Sequence, residues 1–332
     1  MLDPAKPAAL LDQYPNYKVT PLDTHRLGDH NIMVKDETNR MGLGAFKAMG
    51  GMYAVATLLM REAKLTAAEL GSDAAKELAK NVTFVCASAG NHGMAVAAGA
   101  KLFGAGCRIH LSDTVPAGFA ARLEQQGAVV VRSGATYEES IEGAITDAEQ
   151  TNAVHLADGS WPGYTEPPRL VMEGYTYIAE EMRQTFESTQ TWPTHVYLQA
   201  GVGGLAGAIA YMIRKNWAEQ PEIIVVEPTA APCLSESATH GKMVTVDGPV
   251  SNMGRLDCKT PSMLAFDILA RAADRYCAIS DQDALEGAEA AATLGIQSTP
   301  SGAAGLTALM HDIANGLPTT ARPLVILSEG PV

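Results

Sequence analysis

The chain has 332 residues, 47% of them hydrophobic, and a formal net charge of −13. That length exceeds one minimal core and fits either one large α/β unit or two domains. The acid excess argues against nucleic acid, which needs a basic face, and against an anionic membrane surface.

From the start, MLDPAKPAALL has no basic stretch followed by an apolar run, and no run anywhere is long enough for a membrane span. The first segment that carries chemistry is Gly42-Leu43-Gly44-Ala45-Phe46-Lys47-Ala48. A lone lysine is ordinarily a solvated charge, but Lys47 lies among Gly, Leu, Ala, Phe and Met. Desolvation lowers a lysine pKa and favours the neutral amine. That form can join an aldehyde cofactor as a Schiff base.

A strand is predicted at 82–86, then Ser88-Ala89-Gly90-Asn91-His92-Gly93, then an Ala-rich helix at 93–102. A Ser/Gly/Asn turn at a helix start presents N–H and hydroxyl donors to an anion such as a substrate carboxylate. Strands at 108–111, 129–132 and 154–156, with a helix at 137–151, complete a four-strand unit. The stretch 161–168 is rich in Pro and Gly and reads as a connection before a helix at 170–188.

The second round begins with a strand at 195–199. It runs into Gly201-Val202-Gly203-Gly204-Leu205 and a helix at 205–215. Glycines there let backbone N–H groups and a helix dipole meet a phosphate. Gly201, Gly203 and Ala206 also match the dinucleotide pattern G-x-G-x-x-A, with Glu227 after the 223–226 strand as a ribose-binding acid. A nicotinamide oxidoreductase therefore competes as a reading. It leaves Lys47 and the 88–93 loop without a task. A helix at 285–294 and a strand at 324–327 close the series.

Strands alternating with helices predict an α/β fold of two open, mostly parallel, twisted sheets with helices on both faces. The expected division is a large cofactor-binding domain (1–54 and 157–332) and a small mobile domain (55–156), with the cofactor in the cleft between. The five cysteines are scattered singly without metal-ligand spacing. No metal site is expected, and free thiols fit a reducing, cytoplasmic setting.

Together these segments resemble the fold-type II pyridoxal-phosphate enzymes, the tryptophan-synthase β-like group that includes serine and threonine dehydratases. Diaminopropionate ammonia-lyases are the nearest in look. The resemblance rests on Val34-Lys35-Asp36-Glu37, the segment ending in Lys47, the 88–93 loop and Asp158-Gly159-Ser160-Trp161-Pro162-Gly163-Tyr164. The glycine loop at 201–205, Leu256-Asp257-Cys258 with Pro261-Ser262, and Ser301-Gly302-Ala303 complete it.

The resemblance implies pyridoxal 5'-phosphate as cofactor, with Lys47 as the Schiff-base lysine that also shuttles the α-proton. It implies Asn91 on the cofactor's phenolic oxygen and Ser88, Ala89, Gly90, Asn91 and His92 around the substrate carboxylate. Gly201, Val202, Gly203, Gly204 and Leu205 become the phosphate cradle, Ser328 the contact to the pyridine nitrogen, and Asp158 the catalytic carboxylate. A hydroxyl such as Ser328 leaves the ring nitrogen largely neutral, a weaker electron sink that suits elimination. The chain departs from the pattern at Ala89, where ammonia-lyases carry aspartate. It departs again at Ala45, in place of serine, and at Thr299, in place of glutamate.

The expected function is α,β-elimination and deamination of a small β-substituted amino acid, 2,3-diaminopropionate-like, to a 2-oxo acid and ammonia. A serine/threonine- or hydroxyaspartate-type dehydratase is the alternative. The expected partners are the amino acid and a second copy of the chain in a homodimer, with the L-enantiomer preferred.

Overall fold

The computed structural model describes residues 1–331. Leu22–Leu27 (β1) and His30–Asp36 (β2) pair antiparallel across a tight turn that Gly28 enters at φ +57°. Every other pairing is parallel. The six-stranded sheet runs β1-β2-β10-β7-β8-β9, with His195–Gln199 (β7), Glu222–Pro228 (β8), Arg275–Ile279 (β9) and Pro323–Leu327 (β10). The four-stranded sheet runs β5-β4-β3-β6, with Thr83–Cys86 (β3), Gly106–Leu111 (β4), Val129–Arg132 (β5) and Val154–His155 (β6). All seven expected strands are present within one or two residues. β1, β2 and β9 are additional.

Helices cover both sheets. Ala5–Ala8 (α1) and Lys47–Glu62 (α2) precede the smaller sheet, which is interleaved with Asp73–Ala79 (α3), Asn91–Phe103 (α4), Ala117–Gln125 (α5) and Tyr137–Thr151 (α6). Glu166–Thr189 (α7), Gly204–Asn216 (α8), Cys233–His240 (α9), Met263–Ala272 (α10), Asp281–Thr293 (α11) and Ala304–Ala314 (α12) belong to the second round. No helix among the described residues is long and apolar enough to cross a membrane.

The start of α2 is set by a helix crossing that only small residues permit. A Cβ on Gly50 would meet Val171 O at 2.6 Å and the Tyr175 ring, and one on Gly174 would meet Gly50 Cα at 2.8 Å. Backbone therefore packs against backbone where α2 crosses α7, and Lys47 is brought beside Tyr175.

The turn that leads from β2 to α2 is anchored by a buried ion network. Lys35 Nζ donates to Glu181 Oε2 at 2.6 Å, and Arg40 donates to Glu37 at 2.6 and 2.7 Å and to Glu181 at 2.8 Å. All four side chains are at most 1% exposed. Burial pushes the Glu37 carboxyl up, and the Arg40 and Lys35 charges outweigh it, holding the pKa low. Two cations and two anions cancel, which is what makes such burial tolerable. This explains how Lys35 and Glu37 come to be buried at the end of β2.

Candidate active site

Lys47 is the first residue of α2, and Asp158 lies in the loop after β6; their side chains form an ion pair. The sequence placed both in the site, and the structure brings them together over 111 positions. The expectation that apolar surroundings favour a neutral amine is corrected here. Burial does pull the Lys47 pKa down, but the Asp158 carboxylate outweighs it and the pKa is raised. Burial likewise pushes Asp158 up, and Lys47, then His92, hold it well below the usual carboxylate range. The pair is thus a zwitterion whose halves each keep the other charged.

The Asp158 loop is braced from two sides. Tyr164 stacks on Trp161 at 4.3 Å, accepts from Ala157 N at 3.0 Å and donates to His155 O at 2.9 Å. Ser160 N donates to Ser262 Oγ at 3.1 Å, while the N–H of Leu264 reaches Ser160 Oγ at 2.9 Å. Asp158-Gly159-Ser160 is therefore tied to the start of α10, which gives the distant Pro261-Ser262 its purpose.

The 88–93 loop joins β3 to α4. Gly90 N donates to Ser88 Oγ at 3.3 Å. His92 is buried and its Nε2 lies 2.8 Å from Leu156 O, so its ring ties α4 to the segment entering Asp158. Burial keeps its pKa below the usual range. Ala89 is half-buried and has no titratable group. Asn91 donates through Nδ2 to Glu329.

Gly203 caps α8 at φ +96°, a left-handed conformation that favours glycine, and an added Cβ would meet Ala265 Cβ and Leu234 Cδ1 at 3.0 Å. Gly201 is equally crowded, since a Cβ there would lie 3.0 Å from Arg255 O and Cys258 Sγ. Gly204, Leu205 and Ala206 form the first turn of α8, whose N–H groups have no partner within the helix. Val202 O accepts from Ser262 N at 2.9 Å, fixing the loop against α10. Ser328 is buried and its Oγ lies 3.0 Å from Gln199 Nε2.

Four residues of this neighbourhood were given no role by the sequence, and of them only Cys258 stood in a quoted motif. Glu329, 3% exposed, accepts from Asn91 and from Thr299 Oγ1 at 2.5 Å, and Arg255 Nε stands 3.8 Å from it. Cys258 has its thiol pushed up to about 11 by burial and then by Asp158. Tyr137 begins α6, and its hydroxyl lies within electrostatic reach of Asp158, Cys258 and Lys47. Tyr175 places a buried hydroxyl without a hydrogen-bond partner beside Lys47.

Glu227, the acid required by the dinucleotide reading, is spent elsewhere. Its Oε1 accepts from Leu234 N at 2.8 Å and its Oε2 from Ser235 N at 2.9 Å, so it caps α9, and at 1% exposed it offers a ribose no open surface. The arrangement instead fits a phosphorylated aldehyde. A primary amine opens one helix, a glycine cradle opens another, and an unpartnered hydroxyl lies by the amine. Among the described residues no cluster of His, Cys, Asp and Glu fits a metal ion.

A family model described as pyridoxal-phosphate dependent enzyme matches residues 14–329. The diaminopropionate ammonia-lyase of Salmonella typhimurium is 35% identical over 95% of this chain and 86% of that protein. Among solved structures, holo diaminopropionate ammonia lyase from Escherichia coli superposes with a TM-score of 0.85 at 29% identity, covering 98% of this chain and 88% of that one. A threonine deaminase from T.th., at 23% identity and a TM-score of 0.81 over 99% and 98% of the two chains, shares the fold.

Proposed function

The chain belongs to the pyridoxal-phosphate dependent enzyme family and is a carbon–nitrogen lyase; we propose that its own substrate is a small β-substituted amino acid, 2,3-diaminopropionate first among them. The observation that carries this reading is the Lys47–Asp158 pair at the start of α2, within a site that also holds the glycine cradle at 201–205. In the reading, Lys47, Asn91, Gly201, Val202, Gly203, Gly204, Leu205 and Ser328 hold the cofactor. Bound pyridoxal phosphate supplies an aldehyde that joins an amine and a conjugated ring that accepts negative charge from Cα.

The chain's residues do the rest. N–H and hydroxyl groups of Ser88, Ala89, Gly90, Asn91 and His92 receive the substrate carboxylate at the start of α4. Lys47, once its amine is free, takes the Cα proton from the face on which it lies. Asp158 faces the substrate's β-amine. Its carboxyl is held low by the Lys47 ammonium, so loss of that charge leaves burial to raise it, and the group becomes able to hold the proton a leaving amine needs. Closure of the 55–156 unit over the large 1–54 and 157–332 unit would exclude water meanwhile.

A homodimer and a reducing, cytoplasmic compartment belong to the same reading, the five unpaired thiols bearing on the compartment alone. Light scattering on the purified protein checks the dimer.

The test is a panel of β-substituted amino acids given to the loaded protein, reading 2-oxo acid and ammonia together. 2,3-Diaminopropionate plus water gives one pyruvate and two ammonia, whereas serine gives one of each. Two ammonia per oxo acid, abolished in Lys47→Ala, is the expected result. Absence of turnover across the panel would overturn the proposal.

A further inference from the structure

We infer that Arg255 is a specificity-determining residue that receives a substrate carboxylate over the 88–93 loop, from the opposite side of the cleft. The inference rests on the amino-acid lyase reading above. Arg255 lies in the long connection between α9 and α10, and its backbone is fixed at both ends. Its N–H donates to Ser301 Oγ at 3.1 Å, and its carbonyl closes on the phosphate cradle, 3.0 Å from where a Gly201 Cβ would stand. The side chain then reaches across to the smaller sheet's elements. A Cβ on Gly90 would lie 2.9 Å from its Nη1 and 3.2 Å from its Cζ, and Cζ stands 5.9 Å from the centre of the Phe119 ring in α5. One residue thus touches both anion-binding turns.

The guanidinium is set up to bind. Among the described residues it donates no hydrogen bond within the chain, and its one anionic neighbour, Glu329, is 3.8 Å from Nε. That carboxylate is already engaged by Asn91 and Thr299. The Nη edge, 33% exposed with the rest of the side chain, is left beside Gly90 in the turn that the reading gives to the substrate carboxylate. A planar fork on one side and backbone donors on the other clamp a carboxylate as neither does alone.

The experiment compares wild type with Arg255→Gln and Arg255→Lys, each as holoenzyme, using acid and amide ligands of one shape. L-Alanine and L-alaninamide have no leaving group, so their dissociation constants, read from the cofactor absorbance, do not depend on which elimination the enzyme performs. L-Alanine should bind about 10–100-fold more weakly to Arg255→Gln, with partial recovery in Arg255→Lys and no change for alaninamide. The same split should appear in KM, not kcat, for 2,3-diaminopropionate against its α-amide. A loss confined to 3-hydroxyaspartate and spared for serine would overturn the assignment in favour of a distal carboxylate. Equal effects on acid and amide, or none on either, would overturn it outright. Failure of wild type to turn over any substrate, with the alanine split intact, would sink the lyase reading and leave this one standing.

Discussion

Asp158→Asn separates two processes that the intact ion pair holds in opposition. The substitution keeps size and removes the charge that Lys47 faces. Two unit charges about 4 Å apart attract by about 4 kcal/mol at an effective dielectric near 20. The side chains are 21% and 27% exposed, so half of that, about 2 kcal/mol, is a fair share. The sign follows from the causes. Asp158 is the largest cause raising the Lys47 pKa against burial, so without it burial weighs more and the amine titrates at lower pH. At any pH below its titration the neutral fraction of Lys47 then rises on the order of 30-fold. Loading of the apoprotein with pyridoxal phosphate, followed by absorbance in a stopped-flow mixer, should quicken by a similar factor, its pH profile displaced toward acid. Elimination should slow on the order of 10²–10⁴-fold for want of the proton donor. Loading that slows together with elimination would refute the electrostatic argument and make Asp158 a brace for its loop.

Gly203→Ala imposes a side chain at φ +96° against Ala265 and Leu234, a strain of about 1–2 kcal/mol; cofactor occupancy by absorbance should fall while circular dichroism keeps its helical signal. Asp147 is held at about 2, first by its hydrogen bonds from Arg108. Its contribution is present above the ordinary aspartate pKa and is lost as pH falls toward 2. Asp147→Asn should therefore cost roughly 1–3 kcal/mol in urea unfolding at neutral pH, with the gap closing below about pH 4. Ala89 offers no base to the face opposite Lys47, so L-substrates should react on the order of 10²–10⁴ times faster than their D-forms. Ala89→Asp should raise the slow rate; equal rates for both enantiomers in wild type would show another base in the cleft.

Legibility in the sequence followed the range of the forces involved. Strands such as β7 and β10 are short apolar runs before a glycine or polar turn, and the helix that opens at Gly204 starts where its loop glycines end. Those are local signals. β2 was missed because Lys35 interrupts its apolar run, and its closest ion-pair partner, Glu181, lies 146 positions away. β1 is an edge strand of mixed polarity, and β9 is five residues long with arginine at its head. In the site, the residues that the sequence nominated all stand inside motifs: Lys47, Asn91, Asp158, the glycines of the cradle. Glu329 sits beside Ser328, so its place was legible, but a glutamate reads as solvated until Asn91 and Thr299 are seen closing on it. Arg255 and Tyr137 belong to no pattern at all. The charge of Lys47 was misjudged for the same reason: composition around a residue reports burial, and a partner 111 positions away reports nothing locally.

The strand order carries a consequence for how the chain comes into being. β10, made after every other strand, is inserted between β2 and β7, and His30 at the head of β2 meets the carbonyl of Leu317, 287 residues later. At about 5–20 residues per second of synthesis, the β1–β2 hairpin waits on the order of 15–60 s for its neighbour, with one edge bare. The four-stranded sheet lies wholly between Thr83 and His155 and can close long before. Birth therefore has two stages: an early four-stranded sheet, and a larger sheet sealed by its last-made strand. A nascent chain stalled before Pro323 would present the unpaired edges of β2 and β7 to whatever chaperone or neighbouring strand arrives first.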